Sequence, residues 1–204
     1  MARYIVIFAL AYLIGAIPFG FIFYWLYEKK DIRRVGSGNI GATNVTRSLG
    51  ILKGILVLLL DMLKGVIAVY LAQWILGDIR WISIAGLIAI AGHMFPIYLG
   101  FRGGKGVATW IGVFLVLAPH GLILSLVLFF IAVLLTRYIS LGSITAAISL
   151  PFILLILDAE SALVLTAIIS AFLIVLKHRG NISKILNGTE NKFAFHKNKE
   201  KACC

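Results

Sequence analysis

The stretch VATWIGVFLVLAPHGLILSLVLFFIAVLLT, residues 107–136, decides the fold. It is apolar almost throughout, and it is too long for one ordinary crossing of the bilayer's hydrocarbon, which takes ~20 such residues. Ala118-Pro119-His120 interrupts it, and a proline ring removes a backbone donor and disfavours a continuing helix. We read the run as two helices, 107–118 and 119–136. The first is short for a span, so it is tilted, partly re-entrant or supported by its neighbours.

Similar apolar runs lie at 3–27, 51–77, 80–99, 139–157 and 160–176. The 204 residues are 61% hydrophobic and only 13% charged, with a mean hydropathy of +1.04, so lipid is the solvent of most of the chain. Spanning strands would alternate every second residue, whereas these runs are continuous. The fold is therefore all-α, a polytopic membrane protein in one domain over residues 1–204, with 192–204 as a disordered basic tail. The first run is longer than a signal-peptide core and is followed by most of its nearby positive charge, which reads as a retained span. Cys203 and Cys204 are adjacent at the very end and staple nothing.

Positive charge sets the helix count. Lys29, Lys30, Arg33, Arg34, Arg47 and Lys53 surround the first loop, Arg102 and Lys105 lie in the third, and seven Lys or Arg residues follow Leu176. Cytoplasmic loops collect Lys and Arg. These groups follow one span, three spans and the full set, so the number is odd: seven transmembrane helices, N-terminus outside and C-terminus cytoplasmic. The net charge of +11 then belongs to topology and anionic headgroups, and nucleic acid is excluded as a partner.

The cytoplasmic segments carry the chemistry. The first reads Gly36-Ser37-Gly38-Asn39-Ile40-Gly41-Ala42-Thr43-Asn44-Val45-Thr46-Arg47. Its glycines match a dinucleotide fingerprint, but membrane helices flank it where a βαβ unit is needed. Glycine backbone amides, Ser37, Asn39, Thr43, Asn44 and the fixed charge of Arg47 instead describe a phosphate cradle. The second, Gly100-Phe101-Arg102-Gly103-Gly104-Lys105-Gly106, only superficially resembles a nucleotide-binding loop. Glycines around Lys105, with Arg102 nearby, suit a phosphate monoester. The third holds His178, Asn181, Asn187 and Glu190 just beyond the last span, while Arg137 and Ser143 flank the start of the sixth span on the same side. Within the second span, Asp61 and Lys64 stand three residues apart and form a structural ion pair. His93, among apolar neighbours near a helix end, reads as a packing or hydrogen-bonding residue.

In this order the three segments resemble the bacterial membrane family of acyl-phosphate:glycerol-3-phosphate acyltransferases, the PlsY type, over nearly the whole chain. Composition and spacing alone stop at a membrane protein that handles phosphate. The resemblance implies transfer of a fatty acyl group from acyl-phosphate to the 1-hydroxyl of glycerol 3-phosphate, giving lysophosphatidic acid and phosphate in phospholipid biosynthesis. It implies a site at the cytoplasmic face of a bacterial inner membrane, on a monomer. By resemblance, His178, Asn181 and Ser37 are catalytic. Gly38, Asn39, Gly41, Thr43, Asn44, Arg47, Arg102, Gly103, Gly104, Lys105 and Ser143 bind substrate, and Glu190 holds its segment in place. The His-x-x-x-x-Asp pattern of other acyltransferases is absent: Tyr98, Ser125, Ser183 and Lys201 stand five residues beyond the four histidines. An acyl-phosphate is already activated, so positioning and oxyanion stabilisation suffice, with no cofactor, metal or acyl-enzyme. The Lys-rich stretch through Cys204 departs from the family's usual end. The competing function is a membrane anion transporter or phosphate-lipid binding protein; an inverted repeat would favour transport, and none is evident.

Overall fold

The computed structural model describes residues 1–193, so the tail expected from 192 onward lies, from 194, outside the described residues. Every regular element among them is helical. The first apolar run is two helices, α1 (Ala2–Ala16) and α2 (Phe19–Glu28), broken at Ile17-Pro18. Then come α3 (Ala42–Leu49), α4 (Ile51–Leu76), α5 (Ile79–Met94), α6 (Val107–Leu117), α7 (Pro119–Thr136), α8 (Ile139–Ile156), α9 (Ser161–Lys177) and α10 (Arg179–Leu186).

Five segments are long and apolar enough to cross a membrane: 2–28, 51–76, 79–99, 119–136 and 139–156. A sixth reaches that length only when α9 is taken together with α10, across a bend of 56°. Helix α6 is the exception. Its eleven residues rise about 16 Å, roughly half the hydrocarbon thickness. It survives by burial, with Trp110, Gly112, Val113 and Phe114 facing protein, and Pro119 starts α7 at the break.

Glycine lets these helices meet backbone to backbone. A Cβ on Gly15 of α1 would stand 2.1 Å from the Ala89 carbonyl oxygen of α5, and one on Gly92 of α5 would stand 2.5 Å from that of Tyr12. Helices α4 and α6 repeat the device. A Cβ on Gly65 would lie 2.4 Å from Thr109 O, and one on Gly112 would lie 1.9 Å from Met62 O. In lipid, apolar side chains gain little by leaving their solvent, so close approach and dispersion supply much of the association. The outer surface is correspondingly greasy, with Trp74, Leu135 and Ile156 exposed among many large apolar side chains.

Asp61 and Lys64 are buried in α4 with 2.7 Å between them. Lys64 Nζ also donates to the carbonyl of Ile17 at the α1–α2 break, 2.8 Å away. The ion pair thus fastens the kink as well as neutralising itself.

Candidate active site

Three polar segments, remote in sequence, meet at one end of the bundle. In the first, Asn44 on α3 is buried and shapes the loop before it. Its Oδ1 accepts the Ser37 N–H at 3.0 Å, and its Nδ2 donates to Val35 O and Asn39 O, each at 2.9 Å. Asn39 Oδ1 accepts the Gly41 N–H at 2.8 Å. Gly36 and Gly38 adopt the left-handed backbone, at φ 59° and 71°, which most side chains resist. With these groups occupied in building the turn, Ser37, Thr43 and Arg47 are left exposed. Arg47 makes no ion pair among the described residues. Arg33, held by Asp31 at 2.7 Å, donates to Leu99 O at 3.2 Å and ties this loop to the next.

The second segment hangs from the C-terminus of α5, whose free carbonyls are shared among three elements. His93 O accepts the Gly104 N–H at 3.1 Å, Met94 O accepts Lys177 Nζ of α9 at 2.7 Å, and Phe95 O accepts the Tyr12 hydroxyl of α1 at 2.7 Å. Lys177 also lies 4.0 Å over the Phe95 ring. Cations and donors at a helix C-terminus satisfy its last carbonyls and its dipole. Gly103 and Gly104 fit because a Cβ on either would strike His93. Arg102 is exposed, whereas Lys105 turns inward.

Lys105 joins the segments. Its Nζ donates to Asn181 Oδ1 on α10 at 2.5 Å, Asn181 Nδ2 donates to Glu190 Oε1 at 2.7 Å, and Ser140 Oγ of α8 donates to the same oxygen at 2.9 Å. Lysine only donates and a carboxylate only accepts, so the Asn181 amide can face just one way. The Phe193 N–H donates to Arg137 O at 2.7 Å, fastening the end of the described chain beside the start of α8. Burial pushes the Lys105 ammonium down to about 8; Glu190 opposes this, and repulsion from Arg47 and Lys184 adds to it.

His178, at the α9–α10 bend, is buried, and its Nδ1 lies 2.8 Å from the Ile174 carbonyl. A carbonyl accepts only, so Nδ1 carries the proton and Nε2 keeps its lone pair. Burial, with the Lys105 charge, pushes its pKa down to about 4, against the Ile174 bond and Glu190. The imidazole is therefore neutral at physiological pH.

The sequence reading missed Ser140 and Lys177. Ser143, expected at the site, donates its hydroxyl to Ile139 O at 2.9 Å; one turn earlier, Ser140 reaches Glu190. Lys177 resembled topology charge, and only its place beside His178 could have flagged it. Among the described residues no group of three or more His, Cys, Asp or Glu could hold a metal ion.

An arrangement of cations, neutral imidazole and amide at the end of an apolar bundle suits a phosphate-bearing, partly greasy substrate. The family model described as glycerol-3-phosphate acyltransferase matches residues 5–188. The glycerol-3-phosphate acyltransferase of Desulforamulus reducens is 45% identical over 183 residues, covering 89% of this chain and 91% of that protein. Crystal structures of PlsY (YgiH), an integral membrane glycerol 3-phosphate acyltransferase, superpose well. Its glycerol 3-phosphate form gives a TM-score of 0.89 at 41% identity, covering 94% of this chain and 96% of the other. Its lysophosphatidic acid form gives 0.86 at 40%, covering 94% and 95%. The chain is thus an integral membrane protein of the glycerol-3-phosphate acyltransferase family.

Proposed function

We propose that this acyltransferase takes its acyl group from acyl-phosphate and passes it directly to the 1-hydroxyl of glycerol 3-phosphate. The products are lysophosphatidic acid and inorganic phosphate. The observation that carries this reading is the convergence of Lys105, Asn181, Glu190 and Ser140 with His178 and Arg47 at one end of the bundle. Arg47 and Ser37, with the glycine turn of Gly38 to Thr43, take the donor's phosphate. Lys105 and Arg102, on the Gly103-Gly104 loop, take the acceptor's. The neutral His178 accepts a hydrogen bond at Nε2 from the acceptor hydroxyl and orients it. The remaining N–H of Asn181 Nδ2 faces the developing oxyanion.

The glycerol oxygen attacks the acyl carbonyl carbon, the bond from that carbon to the phosphate oxygen breaks, and the hydroxyl proton leaves with the phosphate. An anhydride of this kind needs positioning and charge stabilisation rather than a covalent detour. In this reading α6 and α9 complete seven transmembrane helices, and the Lys and Arg of the loops at this end argue for the cytoplasmic face of a bacterial inner membrane, where a soluble acceptor meets a lipid-dissolved donor. The protein acts as a monomer and needs no cofactor.

Purified protein supplied with labelled glycerol 3-phosphate and palmitoyl-phosphate, palmitoyl-CoA or palmitoyl-acyl carrier protein tests the donor, with uptake into sealed vesicles measured in parallel. Product from the acyl-phosphate alone is expected. Product only from a thioester, or uptake of the anion without acylation, would refute the reading.

A further inference from the structure

The buried charges of α4 and the glycine loop of the site are joined by one side chain, His93. Lys64 Nζ stands among three acceptors: Asp61 Oδ1 at 2.7 Å, Ile17 O at 2.8 Å and His93 Nδ1 at 2.8 Å. Asp61 Oδ1 is at ion-pair distance but off hydrogen-bond alignment, and it lies 3.5 Å from His93 Nδ1. An ammonium donates and never accepts, so Nδ1 offers its lone pair and the ring proton sits on Nε2. The same ring has its Nε2 edge against the loop. A Cβ on Gly104 would stand 2.1 Å from Nε2, and one on Gly103 would stand 2.3 Å from His93 O. The Gly104 N–H donates to that carbonyl. Gly104 does not occupy the left-handed region, and the three atoms nearest an added Cβ all belong to the His93 ring.

We infer that Asp61, Lys64 and His93 form a positioning device for glycerol-phosphate recognition, with the imidazole, held from the membrane interior, fixing the height of Gly103-Gly104 and hence of Lys105. The inference rests on the proposed acceptor role of Lys105. It assigns the network a duty beyond charge neutralisation: these residues touch no substrate and act through the loop.

The test is a steric rescue. Gly104→Ala drives a methyl into the imidazole. His93→Asn removes the Nε2 edge yet keeps an acceptor for Lys64. Gly104→Ala should raise the KM for glycerol 3-phosphate roughly tenfold or more, as expected for a misplaced charge-assisted contact, with the acyl-phosphate KM within about twofold of wild type. His93→Asn should shift the acceptor KM by roughly threefold, and the double variant should match His93→Asn alone. If Gly104→Ala yields no folded protein, recovery of monodisperse protein in the double variant reports the same contact. Multiplicative effects in the double variant, equal changes in both KM values, or a double variant that stays unfolded would overturn the inference. Wild-type protein inert toward both substrates would sink the functional proposal instead, while the rescue could still be read from melting temperatures.

Discussion

The pH response of Lys105 is the sharpest consequence of the site at the scale of single residues. Its pKa is lowered to about 8, so the ammonium is charged below that pH and neutral above it. Glycerol 3-phosphate is already mostly dianionic there, since a phosphate monoester loses its second proton near ~6. The kcat/KM for glycerol 3-phosphate should therefore fall above about pH 8, approaching tenfold per unit, because that quantity reports the free enzyme. Lys105→Arg, whose charge persists, should lose this break, and a wild-type profile flat to pH 10 would contradict it. Lys105→Ala should raise the acceptor KM about ten- to a hundredfold and Arg47→Ala the donor KM, each losing a charge-assisted contact. Equal effects on both substrates would remove the assignment of separate phosphate sites. The residue types of this site were legible because glycine, lysine, histidine and asparagine cluster beside spans. Their division of labour was not, because Asn44 and Asn39 look like ligands until their amides are seen bonded to the loop's own backbone. Ser140 and Ser143 share a helix face, and only packing decides which one meets Glu190.

Among the helices, two proline breaks read differently from sequence. Pro119 interrupted a run too long for one span and so announced itself, whereas Pro18 sat inside a run of ordinary length, and the α1–α2 kink passed unnoticed. The kink persists because α2 packs on the first loop, where a Cβ on Gly20 would lie 1.7 Å from Ile40 O, and because Lys64 takes the Ile17 carbonyl. Helices α3 and α10 were also hidden. Each is eight residues of weak helix formers and polar side chains, and α3 is held by packing on α4, with Thr46 filling the space at Gly54. Glycine contacts between spanning helices give a clean stability prediction. Gly15→Val should lower the melting temperature of the purified protein, since backbone opposes the new side chain and overpacking costs about 1–3 kcal/mol. Gly180→Ala, with nothing within 4 Å of its new methyl, should leave the temperature unchanged or raise it. Similar melting temperatures for the two variants would contradict backbone-to-backbone packing of α1 on α5.

For the whole molecule, charge parity and packing point the same way. The loops around Arg34 and Arg102 and the segment at Lys192 lie at one end of the bundle, as the Arg33–Leu99, Lys105–Asn181 and Phe193–Arg137 contacts require. Single cysteines placed there, in a background lacking Cys203 and Cys204, should all be labelled from the cytoplasmic side. Labelling from opposite sides would break the seven-helix proposal. Apolar length alone could not have reached that number, because α6 has only eleven residues and is counted on charge parity and the Pro119 break. The central claim is direct acyl transfer at this one face, and rapid quench with radiolabelled acyl-phosphate tests it most directly. With glycerol 3-phosphate present, label should pass to lysophosphatidic acid in one phase, slowed on the order of a hundredfold in His178→Ala. Without acceptor, the denatured protein should carry no acyl group. A stoichiometric adduct on Ser37, formed as fast as turnover, would contradict the account and make His178 the base of a covalent mechanism.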